Sequence, residues 1–181
     1  KKETFLAQLR AILKASTGGN LKIMLPMISG IEEVKKTYLY LEEAKAQLRK
    51  ANIRFDEKIQ VGVMIEIPSA VILADELAKM VDFFSIGTND LVQYSLAVDR
   101  DSSLVCDMYE KFHPAVLRLI DMTVKSAARN NIPVSVCGEM ASDPYASLLL
   151  IGMGVTELSV VSTQYLQIKR LIRLVNYENS Q

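Results

Sequence analysis

The segment Asp82–Leu91, with the sequence DFFSIGTNDL, joins a run of bulky apolar residues directly to small and polar ones. Phe83, Phe84 and Ile86 are typical of a buried β-strand, and Gly87 allows the backbone to turn sharply after it. A strand that ends in threonine, asparagine and aspartate has a tip suited to holding a ligand. The segment therefore predicts a core strand with a binding site at its C-terminal end.

Apolar runs of strand length alternate along the chain with segments of helical periodicity, which is the pattern of βα units on a parallel sheet. Most of the strand candidates are apolar on both faces, as in strands that are covered on both sides. The candidates are Leu21–Ile28, Ile59–Ile67, Asp82–Ile86, Val134–Val136 with its flanks, and Glu157–Val161. The sequence therefore predicts an α/β fold with a parallel sheet.

Helical segments fill the intervals between these strands. Apolar residues recur at helical spacing from Phe5 to Leu13. Ser29 and Glu32 form a candidate capping box for a charged helix that reaches to about Ala51. The remaining helices are predicted over Ser69–Met80 behind Pro68, from His113-Pro114 onward, and over Gln167–Tyr177.

Five such units fit two architectures. They can form an open doubly wound sheet, or they can be most of a (β/α)8 barrel, which typically needs about 250 residues. The chain begins on a helix and ends without a small closing element. A TIM barrel truncated to about its last five strands therefore fits at least as well as an open sheet. Because no repeat, low-complexity tract or flexible linker divides residues 1–181, we expect one partial domain.

Composition and charge exclude several classes of protein. The 181 residues are 50% hydrophobic, and 21 basic residues balance 21 acidic ones. A net charge of zero favours neither nucleic acid nor an anionic membrane as a partner, and no apolar run approaches the roughly 20 residues that cross a bilayer. We expect no signal peptide at the start of the chain. We therefore expect a cytoplasmic protein in which Cys106 and Cys137 are free thiols.

Chemically active side chains follow three of the predicted strands. Glu66 closes the second strand, Thr88-Asn89-Asp90 follows the third, and Cys137-Gly138-Glu139 follows the fourth. Because parallel strands point their C-terminal ends to one face, these side chains should converge on one cavity. Glu66 and Asp90 would supply two carboxylates, which is how proteins usually hold Mg²⁺ for a phosphorylated ligand.

Neighbouring residues add groups suited to an anionic substrate. Gly87 exposes backbone N–H groups near Asn89. Arg100, in the AVDR stretch, supplies a forked donor for a carboxylate or a phosphate. Cys137 stands at a strand end before Gly138, where a thiol can face the cavity and exchange a proton.

Each candidate also has a structural interpretation. Glu66 can form an ion pair with a lysine or arginine of the barrel, Asp90 can cap the helix that follows it, and Arg100 can be a solvated loop charge. Cys137 can be an inert buried thiol. His113, the single histidine, precedes a proline at a helix start, which favours a surface or capping role over a catalytic one.

Four blocks of the sequence, taken in order, resemble a known family. They are GVMIEIPSA (62–70), DFFSIGTNDLVQYSLAVDR (82–100), HPAVLRLI (113–120) and VCGEMASDP (136–144). The blocks resemble the C-terminal phosphoenolpyruvate-binding domain of the phosphoenolpyruvate-protein phosphotransferases, the enzymes I of the bacterial sugar phosphotransferase system. Looser similarity through LRAILKAS and LKIMLPMISGIEEV extends the resemblance over nearly all of the chain.

The resemblance implies a (β/α)8 barrel that dimerises, and it implies a role for each candidate residue. Glu66 and Asp90 match the ligands of Mg²⁺. Asn89 and Arg100 match groups that hold the substrate, and Cys137 matches the acid that protonates the enolate to give pyruvate. The implied reaction moves a phosphoryl group from phosphoenolpyruvate to a histidine on a separate N-terminal domain, and then to a small phosphocarrier protein that serves sugar uptake.

The resemblance also implies that the domain is incomplete. The motif around the phosphorylated histidine has no counterpart in this chain, and His113 does not match it. The first three strands of the family's barrel, which carry further arginines, have no counterpart before Lys1, and the last helix is cut short after Gln181. We therefore expect that this polypeptide alone cannot phosphorylate a protein partner.

Two further hypotheses stay open. The pyruvate phosphate dikinases and phosphoenolpyruvate synthases share the barrel and similar strand-end motifs, although the cysteine loop of the dikinases tends to read CGEHGGD where this chain has CGEMASD. A module that only senses phosphoenolpyruvate or only dimerises belongs to a different class. Binding alone does not need the acid, so the combination of Glu66, Asp90 and Cys137 favours an enzyme.

Overall fold

A parallel β-sheet forms the centre of the computed structural model, which describes residues 1–102 and 104–174. The strands are β1 (Lys22–Leu25), β2 (Gln60–Ile65), β3 (Phe83–Gly87), β4 (Val134–Cys137) and β5 (Glu157–Leu158). They pair in the order β1-β2-β3-β4-β5, and every pair is parallel. The parallel α/β sheet predicted from the sequence is confirmed.

The order of the strands decides between the two predicted architectures. A doubly wound sheet reverses its strand order at a switch point, whereas here each strand lies beside the strand that precedes it in the chain. Strands that are always added on the same side, each after a helix, are successive units of a (β/α)8 barrel. The fold is therefore a truncated TIM barrel, and the open doubly wound sheet is excluded.

Helices connect the strands and cover one face of the sheet. Those of the described residues are α1 (Lys2–Ala15), α2 (Ile31–Lys50), α3 (Pro68–Ile72), α4 (Ala74–Ala78), α5 (Thr88–Leu96), α6 (Pro114–Arg129), α7 (Glu139–Ser142), α8 (Pro144–Met153) and α9 (Tyr165–Leu174). Helix α1 packs against α2, and α4 packs against α6. None of these helices combines the length and the apolar character that crossing a membrane requires.

The two faces of the sheet carry different residues. Val63 and Ile65 of β2 are in register with Phe84 and Ile86 of β3, and all four are fully buried in the core beneath the helices. Alternation along the strands places other side chains on the opposite face, which corresponds to the interior of a barrel. The residues on this face include Met64, Ser85, Gly87 and Cys137. The polar strand residues therefore lie away from the helices.

The structure shortens several predicted elements. The first, second and fifth strands are shorter than predicted because their pairing ends at Leu25, Ile65 and Leu158. The single helix predicted over Ser69–Met80 is wrong, because two short helices meet there at Leu73.

The predicted capping box at the start of α2 is wrong by one residue. Glu33 folds back, and its Oε2 accepts hydrogen bonds from the backbone N–H groups of Ser29 (2.7 Å) and Gly30 (3.2 Å). Glu32 instead forms an ion pair with Lys35. Gly30 occupies the N-cap position, because the helix begins one residue later than the sequence pattern predicts.

His113 has the capping role that the sequence predicts. Its Nδ1 accepts a hydrogen bond of 3.2 Å from the backbone N–H of Ala115 in the first turn of α6. Two other predictions lie outside the described part of the structure: the structural role of the Cys106 side chain and the portion of the last helix beyond Leu174.

Candidate active site

Three strand ends bring predicted site residues to one edge of the sheet. Glu66 follows β2, Asp90 lies in the first turn of α5 directly after β3, and Cys137 is the last residue of β4. Gly87 and Cys137 are register partners at the ends of their strands. Parallel register therefore gathers residues that are far apart in the chain at one end of the sheet.

Glu66 is a buried carboxyl group at the end of β2. Only 2% of the residue is exposed, and its Oε1 accepts a hydrogen bond of 2.7 Å from the backbone N–H of Met27. Its Oε2 lies against Gly87, where an added Cβ would stand 2.8 Å from that oxygen. Burial raises the pKa of Glu66, the Met27 N–H lowers it, and the neighbouring Asp90 raises it. Glu66 thus has one anchored oxygen and one that lies beside β3.

Neither of the purely structural roles considered for the two carboxylates, an ion pair for Glu66 and a helix cap for Asp90, is present in the described structure. Within residues 1–102 and 104–174, no ion pair of 4.0 Å or less includes Glu66 or Asp90. Asp90 is not an N-cap, because α5 already begins at Thr88 and its N-cap is Gly87. Asp90, in the first turn of α5, raises the pKa of Glu66 through its negative charge.

Cys137 is a half-buried free thiol beside these carboxylates. Ser85 Oγ lies 3.8 Å from its Sγ, and the thiol donates to the carbonyl oxygen of Ile86 at 3.6 Å. Burial raises the pKa of Cys137, Ser85 lowers it, and the charges of Glu66 and Asp90 raise it. The thiol therefore keeps its proton at neutral pH, which is the state that a proton donor needs.

Thr88 and Asn89 hold the loop after β4 against the start of α5. Thr88 Oγ1 donates a hydrogen bond of 2.9 Å to the carbonyl oxygen of Cys137, and Asn89 Oδ1 accepts one of 3.0 Å from the Glu139 N–H. Gly138 has a φ of +93°, and an added Cβ would stand 2.6 Å from Thr88 Oγ1 and 2.8 Å from Asn89 Oδ1. Only glycine fits at position 138. Because Oδ1 of Asn89 is already engaged, the amide nitrogen of Asn89 is the group that can bind a ligand.

Arg100 lies on the exposed loop between α5 and α6. On the same loop, Tyr109 donates a hydrogen bond of 3.4 Å to the backbone carbonyl oxygen of Asn89. Burial and the charge of Glu139 raise the pKa of Tyr109, Arg100 lowers it, and Asp90 raises it. The charge of Arg100 therefore acts on Tyr109, whose hydroxyl bonds to the backbone of Asn89.

Sequence reasoning missed three groups of the site: Met27, Ser85 and Tyr109. Ser85 had a signal, because it is the polar residue within FFSIG and alternation places it on the same face as Gly87. Met27 contributes through its backbone, and Tyr109 contributes from within a long loop. Neither of these contributions has a signal in the sequence.

The two carboxylates have the donor chemistry of a magnesium site. In the described part of the chain, no group of three or more His, Cys, Asp and Glu side chains is placed to hold a metal ion. Mg²⁺ does not need such a group, because proteins usually bind it through one or two carboxylates together with waters and substrate oxygens. Glu66, with an oxygen beside Gly87, and the adjacent Asp90 fit this type of coordination.

Comparison with known proteins gives a consistent family assignment. Residues 1–177 match the family described as PEP-utilising enzyme, PEP-binding domain. The chain is 47% identical over 180 residues to a phosphoenolpyruvate-protein phosphotransferase of Haemophilus influenzae, covering 99% of this chain and 31% of that protein. The corresponding protein of Bacillus subtilis is 44% identical over 181 residues, covering 100% of this chain and 32% of that protein. The chain thus spans about a third of the length of these relatives.

A solved structure shares the fold. A citrate lyase from Burkholderia xenovorans superposes with a TM-score of 0.66 at 19% identity, over 92% of this chain and 53% of that one. At this identity the likeness concerns the fold alone.

Proposed function

The chain belongs to the PEP-utilising enzymes, whose PEP-binding domain it matches over residues 1–177, and we propose that it forms the phosphoenolpyruvate site of a phosphoenolpyruvate-protein phosphotransferase. In this proposal the substrate is phosphoenolpyruvate, the product is pyruvate, and the phosphoryl group passes to a protein. The names of the relatives, which state a protein as the acceptor, support the last point.

One observation carries the proposal: the thiol of Cys137 and the carboxyl groups of Glu66 and Asp90 follow neighbouring strands at the C-terminal edge of the sheet. Cys137 keeps its proton because of burial and because Glu66 and Asp90 oppose a further negative charge. A binding site for phosphoenolpyruvate alone would not need a proton donor. A site that turns the enolate of pyruvate into pyruvate would need one.

The proposed reaction consists of a phosphoryl transfer and a proton transfer. The P–O bond of phosphoenolpyruvate breaks, the phosphoryl group moves to a histidine of an acceptor domain, and the electron pair of the bond stays on the enolate oxygen. Cys137 Sγ–H then donates its proton to the methylene carbon of the enolate, which becomes pyruvate. The thiolate regains a proton from solvent. Because His113 caps α6, the proposal places the acceptor histidine outside this chain.

The neighbouring residues bind and orient the substrate in this proposal. Glu66 and Asp90 would hold Mg²⁺, which when bound neutralises charge on the phosphate as the bond breaks. Arg100 would provide a forked donor to the phosphate or the carboxylate of the substrate. Asn89 would donate from its amide nitrogen, since its Oδ1 already accepts from the Glu139 N–H.

The same proposal extends to the parent enzyme. Its partners would be a histidine-bearing N-terminal domain and a small phosphocarrier protein, and it would act in sugar uptake as a cytoplasmic homodimer. The chain described here is proposed to be unable to phosphorylate the carrier protein without the rest of that enzyme. Transfer of ³²P from phosphoenolpyruvate to the carrier by this chain alone would overturn that part of the proposal.

Proton exchange at the methyl group of pyruvate tests the central step, because it needs the acid and the metal but no protein acceptor. Pyruvate is incubated with the chain and MgCl₂ in D₂O, and the loss of the methyl signal is followed by ¹H NMR. We expect Cys137→Ser to slow the exchange about 100-fold or more, the usual contribution of a general acid. Cys106→Ser is the matched control, and we expect it to exchange at the rate of the unsubstituted chain.

Two results would contradict the proposal. If Cys137→Ser exchanged as fast as Cys106→Ser, the thiol would not be the proton donor. If the chain bound phosphoenolpyruvate in the presence of Mg²⁺ but caused no exchange dependent on Cys137, it would be a binding module without catalytic function.

A further inference from the structure

Met27 has an unusual backbone conformation directly beside the candidate site. Its φ of +55° lies in the left-handed region, which is unfavourable for a residue with a Cβ. Asn52 and Asn131 have φ values of +54° and +56°, but asparagine tolerates this region, and both residues follow helices at the opposite end of the sheet. Ala97 has a φ of +53° as the C-cap of α5, where the left-handed conformation is common. Methionine has no such preference, yet Met27 adopts the same left-handed conformation.

This conformation directs the backbone N–H of Met27 to Glu66. The hydrogen bond to Glu66 Oε1 is 2.7 Å long and joins residues that are 39 positions apart. Glu66 is only 2% exposed, so this N–H takes the place of water as a donor to the carboxylate. The other carboxylate oxygen, Oε2, stays beside Gly87.

Two side chains hold the loop that carries Met27. Glu33 Oε2 accepts from the N–H and the hydroxyl of Ser29, at 2.7 and 3.0 Å, and from the Gly30 N–H at 3.2 Å. Ser69 Oγ donates a hydrogen bond of 2.9 Å to the carbonyl oxygen of Ser29. Strained backbone persists where the surrounding structure over-determines it, and such positions cluster at functional sites. The loop that carries Met27 is thus held by two helices, through Glu33 of α2 and Ser69 of α3.

We propose that Met27 is a positioning residue for the metal ligand Glu66. Its N–H fixes Oε1 of Glu66 and thereby leaves Oε2 in a defined place for the ion. Glu33 and Ser69 act one step further away, because they hold Met27 in its left-handed conformation. This inference rests on the proposed function, in which Glu66 binds Mg²⁺.

The contact itself is tested without any metal. Hydrogen exchange of the Met27 amide, followed by NMR in the metal-free chain, should be at least tenfold slower than that of an unstructured amide. Glu66→Ala should abolish this protection. An amide that exchanges at the unprotected rate, or that stays equally protected in Glu66→Ala, would overturn the inference, because the N–H would not be bound to that carboxylate.

The effect on the metal site is tested by replacing the amide of Met27 with an ester, which removes the N–H and keeps the side chain. The probe is Mn²⁺, whose binding is followed by electron paramagnetic resonance. Loss of a group that orients a metal ligand typically weakens affinity 10- to 100-fold, and we expect a change of this size. The matched control is the same replacement at Asn131, which has the same φ and donates its N–H to Ala128 at 3.2 Å. It should lower the melting temperature without weakening Mn²⁺ binding.

A second variant keeps the test decisive if the ester does not fold. Ser69→Ala removes the bond to Ser29 and should weaken Mn²⁺ binding several-fold, because it releases the loop of Met27. Ser95→Ala is its control, since the Ser95 hydroxyl is buried without a hydrogen-bond partner among the described residues. Equal Mn²⁺ affinity in both serine variants, like unchanged affinity in the ester at Met27, would overturn the inference.

The outcomes also separate this inference from the proposed function. If Glu66→Gln abolishes Mn²⁺ binding and the ester at Met27 does not weaken it, the inference fails and the metal site stands. If the unsubstituted chain and Glu66→Gln bind Mn²⁺ equally, the metal role of Glu66 fails, and Met27 does not position a metal ligand.

Discussion

Two residues at the strand ends, Glu66 and Cys137, have raised pKa values because of where the strands place them. Burial raises the pKa of both Glu66 and Cys137, and Asp90 adds a like charge beside them. A buried carboxyl group without a counter-charge is unfavourable in the metal-free protein. Ionised Glu66 therefore lowers stability when no cation is bound, as is common at functional sites.

The reactivity of Cys137 should reveal its raised pKa. In a Cys106→Ser background, we expect the rate of alkylation by iodoacetamide to rise with pH around a midpoint above that of a free thiol, about 8.5. Burial causes most of the shift and the charge of Glu66 adds to it, so Glu66→Gln should move the midpoint down part of the way. If the midpoint with Glu66 in place were at or below that of a free thiol, the pKa of Cys137 would not be raised by burial.

Glu66→Gln should stabilise the metal-free fold, and more so at high pH. The pKa of Glu66 is raised in the folded state, so ionised Glu66 lowers stability progressively as the pH rises from the unfolded value of about 4.3 through the folded value. Glutamine avoids this cost and can still accept from Met27. We expect the melting temperature at pH 8 to rise by about 2 to 4 °C, which corresponds to roughly 1 kcal/mol in a domain of this size.

The gain from Glu66→Gln should vanish at about pH 3, well below the unfolded pKa of about 4.3, where the carboxyl group is protonated in both states. Glu76→Gln, at an exposed position of α4, is the matched control. A gain of the same size and the same pH dependence in both variants would show that burial of Glu66 is not its cause.

At the scale of elements, the loops at the strand ends are fastened to one another. The loop after β4 is attached to the start of α5 by Thr88 and Asn89. The long loop between α5 and α6 is attached to α8 by the ion pair of Lys111 with Asp143, which also caps α8. These contacts adjoin Asn89 and Cys137 and hold the loop that carries Arg100, so they position the candidate site.

Gly138→Ala should break the attachment between β4 and α5. The added Cβ would meet Thr88 and Asn89 at less than 3 Å, in addition to the cost of a positive φ. We expect a loss of about 3 kcal/mol in the free energy of unfolding, from backbone strain and broken hydrogen bonds together. The measurement is equilibrium unfolding in urea.

Gly19→Ala separates the two causes of this loss. Gly19 has a φ of +69° and nothing within 4 Å of an added Cβ, so it should lose only about 1 kcal/mol, the cost of the backbone conformation. Equal losses at Gly19 and Gly138 would mean that the contacts with Thr88 and Asn89 do not matter.

At the scale of the whole molecule, the sheet forms one side of a barrel. The helices cover its outer face, whereas the face that carries Met64, Ser85 and Cys137 corresponds to the barrel interior. The relatives are about three times as long as this chain.

Mg²⁺ together with phosphoenolpyruvate should raise the melting temperature of the chain. A ligand at 100 times its dissociation constant stabilises the folded state by about 2.7 kcal/mol, which corresponds to roughly 5 to 10 °C in a domain of this size. Asp90→Ala should abolish the shift, whereas Glu76→Ala, on α4, should retain it. A shift that persists in Asp90→Ala would place the ligand elsewhere, and the absence of a shift would mean that these strand ends do not bind it alone.

The sequence predicted more of the fold than of the contacts within the site. Apolar runs and helical periodicity are local properties, so the strands and helices such as α1, α2 and α6 were predicted from them. Helices α7 and α8 were not predicted. The capping residue of α2 was predicted one position too early, since both Glu32 and Glu33 suit the pattern. The approach of Tyr109 to Asn89 joins a long loop to another element, and loop conformation has no simple sequence signal.

By itself, the sequence determined the parallel α/β sheet, the family and the set of polar residues at the strand ends, because strand direction alone brings those ends to one edge. Tertiary structure alone decided the barrel-like strand order, the neighbourhood of Glu66 with Asp90, and the bond from Met27 to Glu66. The reason is physical: hydrophobic patterning acts over a few residues, whereas the distance between two carboxyl groups and the direction of one N–H depend on packing between segments distant in the chain.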